Sequence, residues 1–268
     1  MRGKNTVLKE ERQQRILEML HQDGSVLASE LSDVLSVSED TIRRDLRDLF
    51  EAGLIQRVHG GAVLRAPRLR YSERVQQTIQ GKTAIARAAI QLLRDGQVIL
   101  MDGGTTTLQV ARSIPYTLHA TVITNSPAIA MELAEHPNVD MILLGGPLLK
   151  STQTTAGIET VEALRSYQAD ICLLGICGLH VEAGISTTER EELYIKKVMI
   201  ERSAEVVALA SAEKLNSSTP YIVGPLKLLT HLVTEASVPE EVLMPFRYLG
   251  ITTIKAEPTE TANEKIRA

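Results

Sequence analysis

Tryptophan is absent, phenylalanine occurs twice, and aromatic residues make up 3% of the 268. The core must therefore be built from Leu, Ile, Val and Ala, and a nucleic-acid platform of stacked rings is excluded. Cysteine is equally scarce. Cys172 and Cys177 are the only two, too few for a disulfide framework and at no spacing that suits zinc; no metal and no cofactor is expected. No apolar run reaches the roughly 18 residues of a membrane span. The polar stretch Met1 to Gln14 lacks a signal segment's apolar centre. The chain is expected in the cytoplasm, with no membrane partner. Net charge is only −4, which does not by itself advertise a nucleic-acid partner.

What is present is globular in character, 44% hydrophobic and 23% charged. At about 150 residues per domain the length suggests two domains. Charge is unevenly spread. Residues 1–40 hold five basic and eight acidic side chains, whereas residues 41–70 hold seven arginines against Asp45, Asp48 and Glu51. Such a run is either a solvated helix face or a phosphate-contacting surface.

The apolar pattern before residue 64 predicts three short helices. The first covers Glu11 to Gln22 and stops at Asp23-Gly24, and the second covers Ala28 to Leu35. Ser38 is the expected N-cap of the third, with Glu39 and Asp40 placed well against the helix dipole. The short Ser36-Val37 link suits a helix-turn-helix crossing. Around the third helix, at about 100° per residue, Leu46, Leu49 and Phe50 cluster with Ile42. Arg44 and Arg47 fall opposite, and Thr41 and Arg43 flank the stripe. Arginines and a threonine in the first turns fit a recognition helix in a major groove. Leu54 to Val58, a turn at His59-Gly60-Gly61 and Ala62 to Leu64 then read as a β-hairpin wing, with Arg57 and His59 placed to approach the DNA backbone.

The run Thr41-Ile42-Arg43-Arg44-Asp45-Leu46, followed by Leu54-Ile55-Gln56-Arg57-Val58-His59-Gly60-Gly61-Ala62, resembles the signature of the DeoR family of bacterial transcription regulators. The resemblance implies that Val26 to Asp45 is the helix-turn-helix and that operator DNA is the partner. Ser38, Thr41, Arg43, Arg44, Arg47, Arg57 and His59 are the candidate DNA-binding residues.

After about Asp95, short apolar runs alternate with helical stretches, which predicts a mostly parallel sheet covered on both faces. Gln97 to Met101 reads as a buried strand, followed by Asp102-Gly103-Gly104-Thr105-Thr106-Thr107 and a helix to Ser113. Strand, Gly/Thr-rich turn and helix N-terminus form a recipe for binding an anion. The turn is neither a Walker loop nor a dinucleotide fingerprint. Other polar or glycine-rich strand ends, at Asn125, Gly145-Gly146 and Cys177-Gly178, are expected at the same edge of the sheet. Cys172 is assigned to the core, while Cys177 is either a buried hydrophobe or a group facing the ligand.

This half is similar to the DeoR-type C-terminal sensor domain, matching in Lys82 with Ile85-Ala86, Asp102 to Thr106, Thr124-Asn125-Ser126, Gly145-Gly146, Gly175 with Gly178, Gly184 to Met199, and Lys214. The resemblance implies a fold similar to ribose-5-phosphate isomerase and a phosphorylated sugar or related metabolite as effector. It places the phosphate at Gly104, Thr105, Thr106 and Thr107. It lines the remaining pocket with Lys82, Asp102, Gly103, Asn125, Gly146, Cys177, Glu192, Lys196 and Lys214. Without it, Lys196 and Lys214 read as surface lysines and Glu192 as their solvated neighbour. Two departures stand out: many family members carry an acid at the position of Cys177 and an aspartate at that of Ser211. Isomerisation needs a positioned base, and a thiol in place of the carboxylate argues against turnover.

The sequence is therefore expected to encode an α/β protein, an N-terminal winged helix-turn-helix followed by a mostly parallel-sheet sensor domain. The expected boundaries are 9–64 for the DNA-binding domain, 65–74 for a linker, 75–256 for the sensor and 257–268 for a polar tail. The expected activity is repression of a carbohydrate operon, relieved by the phosphorylated sugar, by a homodimer or homotetramer. The alternative is a sugar-phosphate isomerase or amino-sugar phosphate deaminase with an appended DNA-binding module.

Overall fold

The computed structural model describes residues 8–58, 60–65, 70–77 and 79–257. His59 at the expected wing tip lies outside the described residues, as do residues 66–69 of the linker and 258–268 of the tail.

Helix α1 (Lys9–Asp23) stops where Gly24 adopts a left-handed φ of 75°. Strand β1 (Ser25–Leu27), which the apolar pattern does not announce, leads into α2 (Ala28–Leu35) and α3 (Glu39–Glu51). Ser38 caps α3 as expected, its hydroxyl accepting the Thr41 N–H at 3.3 Å. Strands β2 (Ile55–Val58) and β3 (Gly61–Arg65) pair antiparallel as the wing. Ile16, Leu20, Leu31, Ile42, Leu46 and Ile55 fill the core of this unit. Phe50 is a correction. It is 39% exposed, because it stands roughly 80° around the helix from Ile42, outside the narrow buried stripe.

Helices α4 (Tyr71–Gln76) and α5 (Ile79–Ile90) open the second half. Then come β4 (Val98–Met101), α6 (Thr105–Ser113), β5 (Ala120–Thr124), α7 (Pro127–Leu133) and β6 (Val139–Leu143). A short antiparallel pair, β7 (Leu148–Leu149) and β8 (Thr154–Thr155), precedes α8 (Ile158–Arg165) and β9 (Ala169–Gly175). The chain continues through β10 (Gly178–His180), β11 (Gly184–Thr187), α9 (Arg190–Glu201) and β12 (Ser203–Leu209). It ends with β13 (Ser217–Ser218), β14 (Tyr221–Gly224), β15 (His231–Glu235), α10 (Glu240–Tyr248) and β16 (Thr252–Ala256). Helix α10 runs through Pro245, beyond the Met244 limit that the sequence suggests.

Seven strands form one sheet in the order β16-β15-β12-β9-β4-β5-β6, and every pairing in it is parallel. Both faces are covered, so its central strands are apolar on both sides. Along β9, Ile171 and Leu173 join the core beneath α5, α6 and α7, while Cys172 and Leu174 join the core beneath α8, α9 and α10. Cys172 is thus a core residue, as its strand position suggests. From β4 the chain builds outward to β5 and β6, then returns to place β9 on the other side of β4. That reversal opens a crevice at the carboxyl ends of β4 and β9.

A smaller antiparallel sheet, β10-β11-β14, stands beyond that edge. Strand β13 ties the two halves together. On one edge, β3 pairs with β2. The other edge is shared: β1 takes residues 61–63, and β13 from the second half pairs in parallel with Leu64 and Arg65. A Cβ on Gly61 would sit 1.9 Å from the Val26 carbonyl oxygen, so only glycine allows β1 this close.

Candidate functional site

The exposed surface of the N-terminal unit is arginine-rich. Arg43, Arg44, Arg47 and Arg57 are all exposed, as is Ser38, while Thr41 is half-buried. Arg43 pairs with Glu39 at 2.8 Å one turn earlier, a contact that positions it at little energetic gain. A groove between α3 and the wing is lined by Arg43, Leu46, Arg57 and Gly61, which brings recognition-helix and wing arginines to one concavity. His59 falls outside the described residues. The acids of this segment are mostly turned to other work. Asp45 is 2% exposed and accepts two hydrogen bonds from the buried Arg12 guanidinium, at 2.5 and 3.0 Å. Asp48 pairs with Lys9 at 2.7 Å. Both contacts fasten α1 to α3.

The second candidate site lies in the crevice at the ends of β4 and β9. Met101 is the last residue of β4, and the chain turns through Asp102-Gly103-Gly104 into α6. A Cβ on Gly103 would come within 2.0 Å of the Thr154 side chain, so the turn can pass there only as glycine. Gly104 is the N-cap and offers no side-chain cap, which leaves the first-turn N–H groups and the positive end of the dipole facing the crevice. Thr107 folds back, its hydroxyl donating to the Gly104 carbonyl at 2.9 Å. The Thr106 hydroxyl is buried and has no hydrogen-bond partner. An orphaned buried hydroxyl costs roughly 1–3 kcal/mol, a cost that a bound acceptor removes.

The crevice is walled by Gly103, Gly104, Thr105, Thr106, Gly175, Cys177, Glu192, Lys196, Lys214 and Arg74. Eight of the sequence candidates therefore meet there. The others stand behind the walls. Asp102 is 1% exposed; it receives the Gly175 N–H at 2.9 Å and the Lys196 ammonium, which also donates to the Gly175 carbonyl at 2.8 Å. Burial alone would lower the Lys196 pKa, but the carboxylates of Asp102 and Glu192 outweigh it and keep the ammonium charged. Lys196 is 2% exposed, so the surface-lysine alternative does not hold. Asn125 accepts the Gly103 N–H at 3.2 Å and donates to the Thr155 carbonyl at 3.0 Å, and so clamps the turn from below. Gly146, with φ of 138°, packs against Thr160 and the Ala156 carbonyl and shapes a neighbouring loop.

Lys82 does not line the crevice. Its ammonium donates to the backbone carbonyls of Arg74 and Gln77, because α5 packs where the end of α4 is left with open acceptors. Glu192 is 5% exposed and accepts the Thr187 hydroxyl at 2.7 Å; Thr187 in turn lies 3.8 Å from the Cys177 sulfur. Ser211, the other departure from the family pattern, is fully buried and donates to Glu213 at 2.6 Å. Lys214 is half-buried, and its pKa is lowered by burial against the pull of its neighbours, with the Arg74 and Lys196 cations adding to the depression. The residue that sequence reasoning missed is Arg74. It belongs to the segment taken as linker, and the one signal there is Tyr71, an aromatic only 7% exposed.

Two family models match along the chain. The DeoR-like helix-turn-helix domain matches residues 12–68, and the DeoR C terminal sensor domain matches residues 77–236. The chain is 35% identical over 251 residues to the HTH-type transcriptional regulator GlpR of Haloferax volcanii, covering 92% of this chain and 98% of that one. It is 31% identical over 250 residues to the HTH-type transcriptional regulator GolR of Listeria innocua, with 92% and 98% covered. It is 34% identical over 229 residues to the HTH-type transcriptional repressor GlcR of Bacillus subtilis, with 84% and 88% covered. Among solved structures, ribose 5-phosphate isomerase A of Methanocaldococcus jannaschii overlaps with a TM-score of 0.37 at 18% identity, covering 50% of this chain and 52% of that one.

Proposed function

The chain belongs to the DeoR family of transcriptional regulators, and from that premise we propose that it represses a carbohydrate operon and is released from DNA by a phosphorylated sugar. It is a DNA-binding regulator and not an enzyme, as its relatives are. One of them is named a repressor, and another a putative aga operon transcriptional repressor. The DNA-reading residues on this proposal are Ser38, Thr41, Arg43, Arg44, Arg47 and Arg57. The working units are residues 9–64 and 75–256.

The observation that carries the effector reading is the buried, partnerless Thr106 hydroxyl at the uncapped start of α6. A phosphate there would accept from that hydroxyl and from first-turn N–H groups, and Lys214 would neutralise part of its charge. Lys196 is already satisfied by Asp102 and serves as the base of the wall. The sugar hydroxyls would meet Glu192 and Cys177.

Release requires the sugar phosphate to favour the DNA-free arrangement, and a coupling of about 1–3 kcal/mol is typical. The hydrogen-bonded route from pocket to wing is short. The Ser217 hydroxyl donates to the Lys214 carbonyl at 2.9 Å, and Ser217 pairs with Leu64 of the wing. One small module binds DNA weakly, so a homodimer or homotetramer reading repeated half-sites completes the proposal.

The test is a fluorescence-anisotropy titration with DNA from the promoter of the chain's own gene, at two salt concentrations, with and without hexose and pentose phosphates. Salt-sensitive binding that one sugar phosphate releases is the expected result. Binding that none of them alters would overturn the effector reading and leave the DNA-binding half standing.

A further inference from the structure

We propose that Arg74, carried by the connecting helix α4 and not by the α/β domain, is a direct ligand of the anion that binds at the start of α6. This rests on the effector reading above and adds a residue that spans the two halves of the chain. Arg74 lines the same crevice as Thr105, Thr106 and Lys214. Its Nε is buried and has no hydrogen-bond partner. The crevice therefore holds two orphaned donors from different elements, the Arg74 Nε and the Thr106 hydroxyl. A buried donor without an acceptor is costly, and a phosphate bound in the crevice would offer oxygens to both.

The surroundings hold the guanidinium ready. Its Cζ lies 5.7 Å from the centroid of the buried Tyr71 ring, a cation–π contact that helps to hold it there. The nearest acid on the same helix, Glu73, is occupied by the Arg70 N–H at 2.8 Å. Lys82 grips the α4 carbonyls of Arg74 and Gln77, and α4 itself packs against α6. Lys82 is then a positioning residue for the connector, which accounts for its absence from the crevice wall. Arginine suits the role because its planar fork matches two phosphate oxygens, where lysine offers a point charge.

The consequence concerns control. The anion would be held from one side by α6, which belongs to the sheet. From the other sides it would be held by two segments leading to the wing: α4, which follows β3, and Lys214, which leads to β13. An anion bound in this way sets the position of the connector as well as filling a pocket.

The experiment is isothermal titration calorimetry of the full chain with inorganic phosphate and with a set of hexose phosphates, run on wild type, Arg74→Met, Arg74→Lys and Thr106→Val. Differential scanning calorimetry without ligand accompanies it. Arg74→Met is expected to weaken phosphate binding by about tenfold or more, with Arg74→Lys recovering part of the loss. Its melting temperature without ligand should stay close to wild type, since the Nε bonds nothing in the empty protein. Wild-type affinity in Arg74→Met, with a loss in Thr106→Val, would overturn the role of Arg74 and leave the effector site in place. No binding by wild type would overturn both. Should Arg74→Met fail to fold, Arg74→Lys decides: unchanged affinity for every phosphate would show that the fork is not used.

Discussion

Each half of the molecule buries an ion pair, and the two pairs behave differently. In the DNA-binding unit, Arg12 and Asp45 are 7% and 2% exposed and meet through two hydrogen bonds. Neither residue keeps an orphaned buried polar atom among the described residues. In the sensor, Lys196 and Asp102 are equally buried and equally well paired. There the pair forms the floor of a crevice whose other donors, the Thr106 hydroxyl and the Arg74 Nε, bond nothing. A buried charge pair is therefore no marker of a site by itself. What sets the sensor pair apart is the crevice above it, where two orphaned donors from different elements line one cavity; native proteins leave few buried polar groups without partners.

The sharpest way to break the comparison is to cut the closed pair. Arg12→Met should destabilise the N-terminal unit by about 3–5 kcal/mol, because it strands the Asp45 carboxylate. Chemical denaturation followed by circular dichroism would show it as an early transition. The double replacement Arg12→Met with Asp45→Leu should recover most of the loss, as an apolar pair of similar volume replaces the ionic one. If the single and double variants unfold alike, the pair is not what fastens α1 to α3.

The open site should answer in the opposite sense. Thr106→Val removes a hydroxyl that the empty protein cannot satisfy, so stability should hold or rise by up to about 1 kcal/mol. Affinity for phosphate should fall by about tenfold or more, the worth of a hydrogen bond to a charged group. Thermal unfolding and calorimetry on one sample read both signs. A variant that loses stability without losing affinity would make Thr106 an ordinary core residue.

Sequence made the two halves legible to different degrees, and the reason is physical. Helices α2 and α3 with the Ser38 cap follow from local periodicity and capping, and the Gly/Thr turn announces itself because anion binding at a helix start needs those residue types. The β3–β13 pairing joins Leu64 to Ser217, a contact across most of the chain that no local pattern encodes. Arg74 was hidden for the same reason: a linker arginine looks like any solvated charge until the fold brings α4 against α6. Lys82 was placed in the pocket by resemblance, whereas the fold uses its ammonium on the carbonyls of α4. The burial of Asp45 also changes how the arginine cluster reads, since one of the acids offsetting it is consumed inside the unit.

On the DNA side, Arg44 and Arg47 are exposed and lie opposite the buried stripe of α3. Arg44→Ala and Arg47→Ala should each weaken promoter DNA binding by about 1–3 kcal/mol if the side chain reads a base, and by less if it meets only phosphate. The salt dependence separates the two, because loss of a phosphate contact lowers the slope by about one counterion. Full affinity in both variants would move the recognition surface off this face. Neither substitution should alter phosphate affinity in the isolated protein by more than about twofold, since both lie outside the crevice wall.

The smallest effect expected is a proton. Burial foremost, and the Lys214 ammonium next, push the Lys82 pKa down from its usual 10.5 to about 8, with Arg74 adding to the depression and Glu213 and Glu235 opposing it. An anion arriving between Arg74 and Lys214 offsets the cations that depress Lys82 from behind the wall, and so raises the Lys82 pKa. By linkage the bound state then holds more proton than the empty one in the window above about 8. Affinity should be greatest below pH 8 and decline a few-fold as pH rises through it, with fractional proton uptake on binding. Titrations at pH 8.5 in two buffers of different ionisation enthalpy measure that uptake directly. Lys82→Met should abolish the proton signal, and if the signal persists unchanged in that variant the titrating group is Lys214.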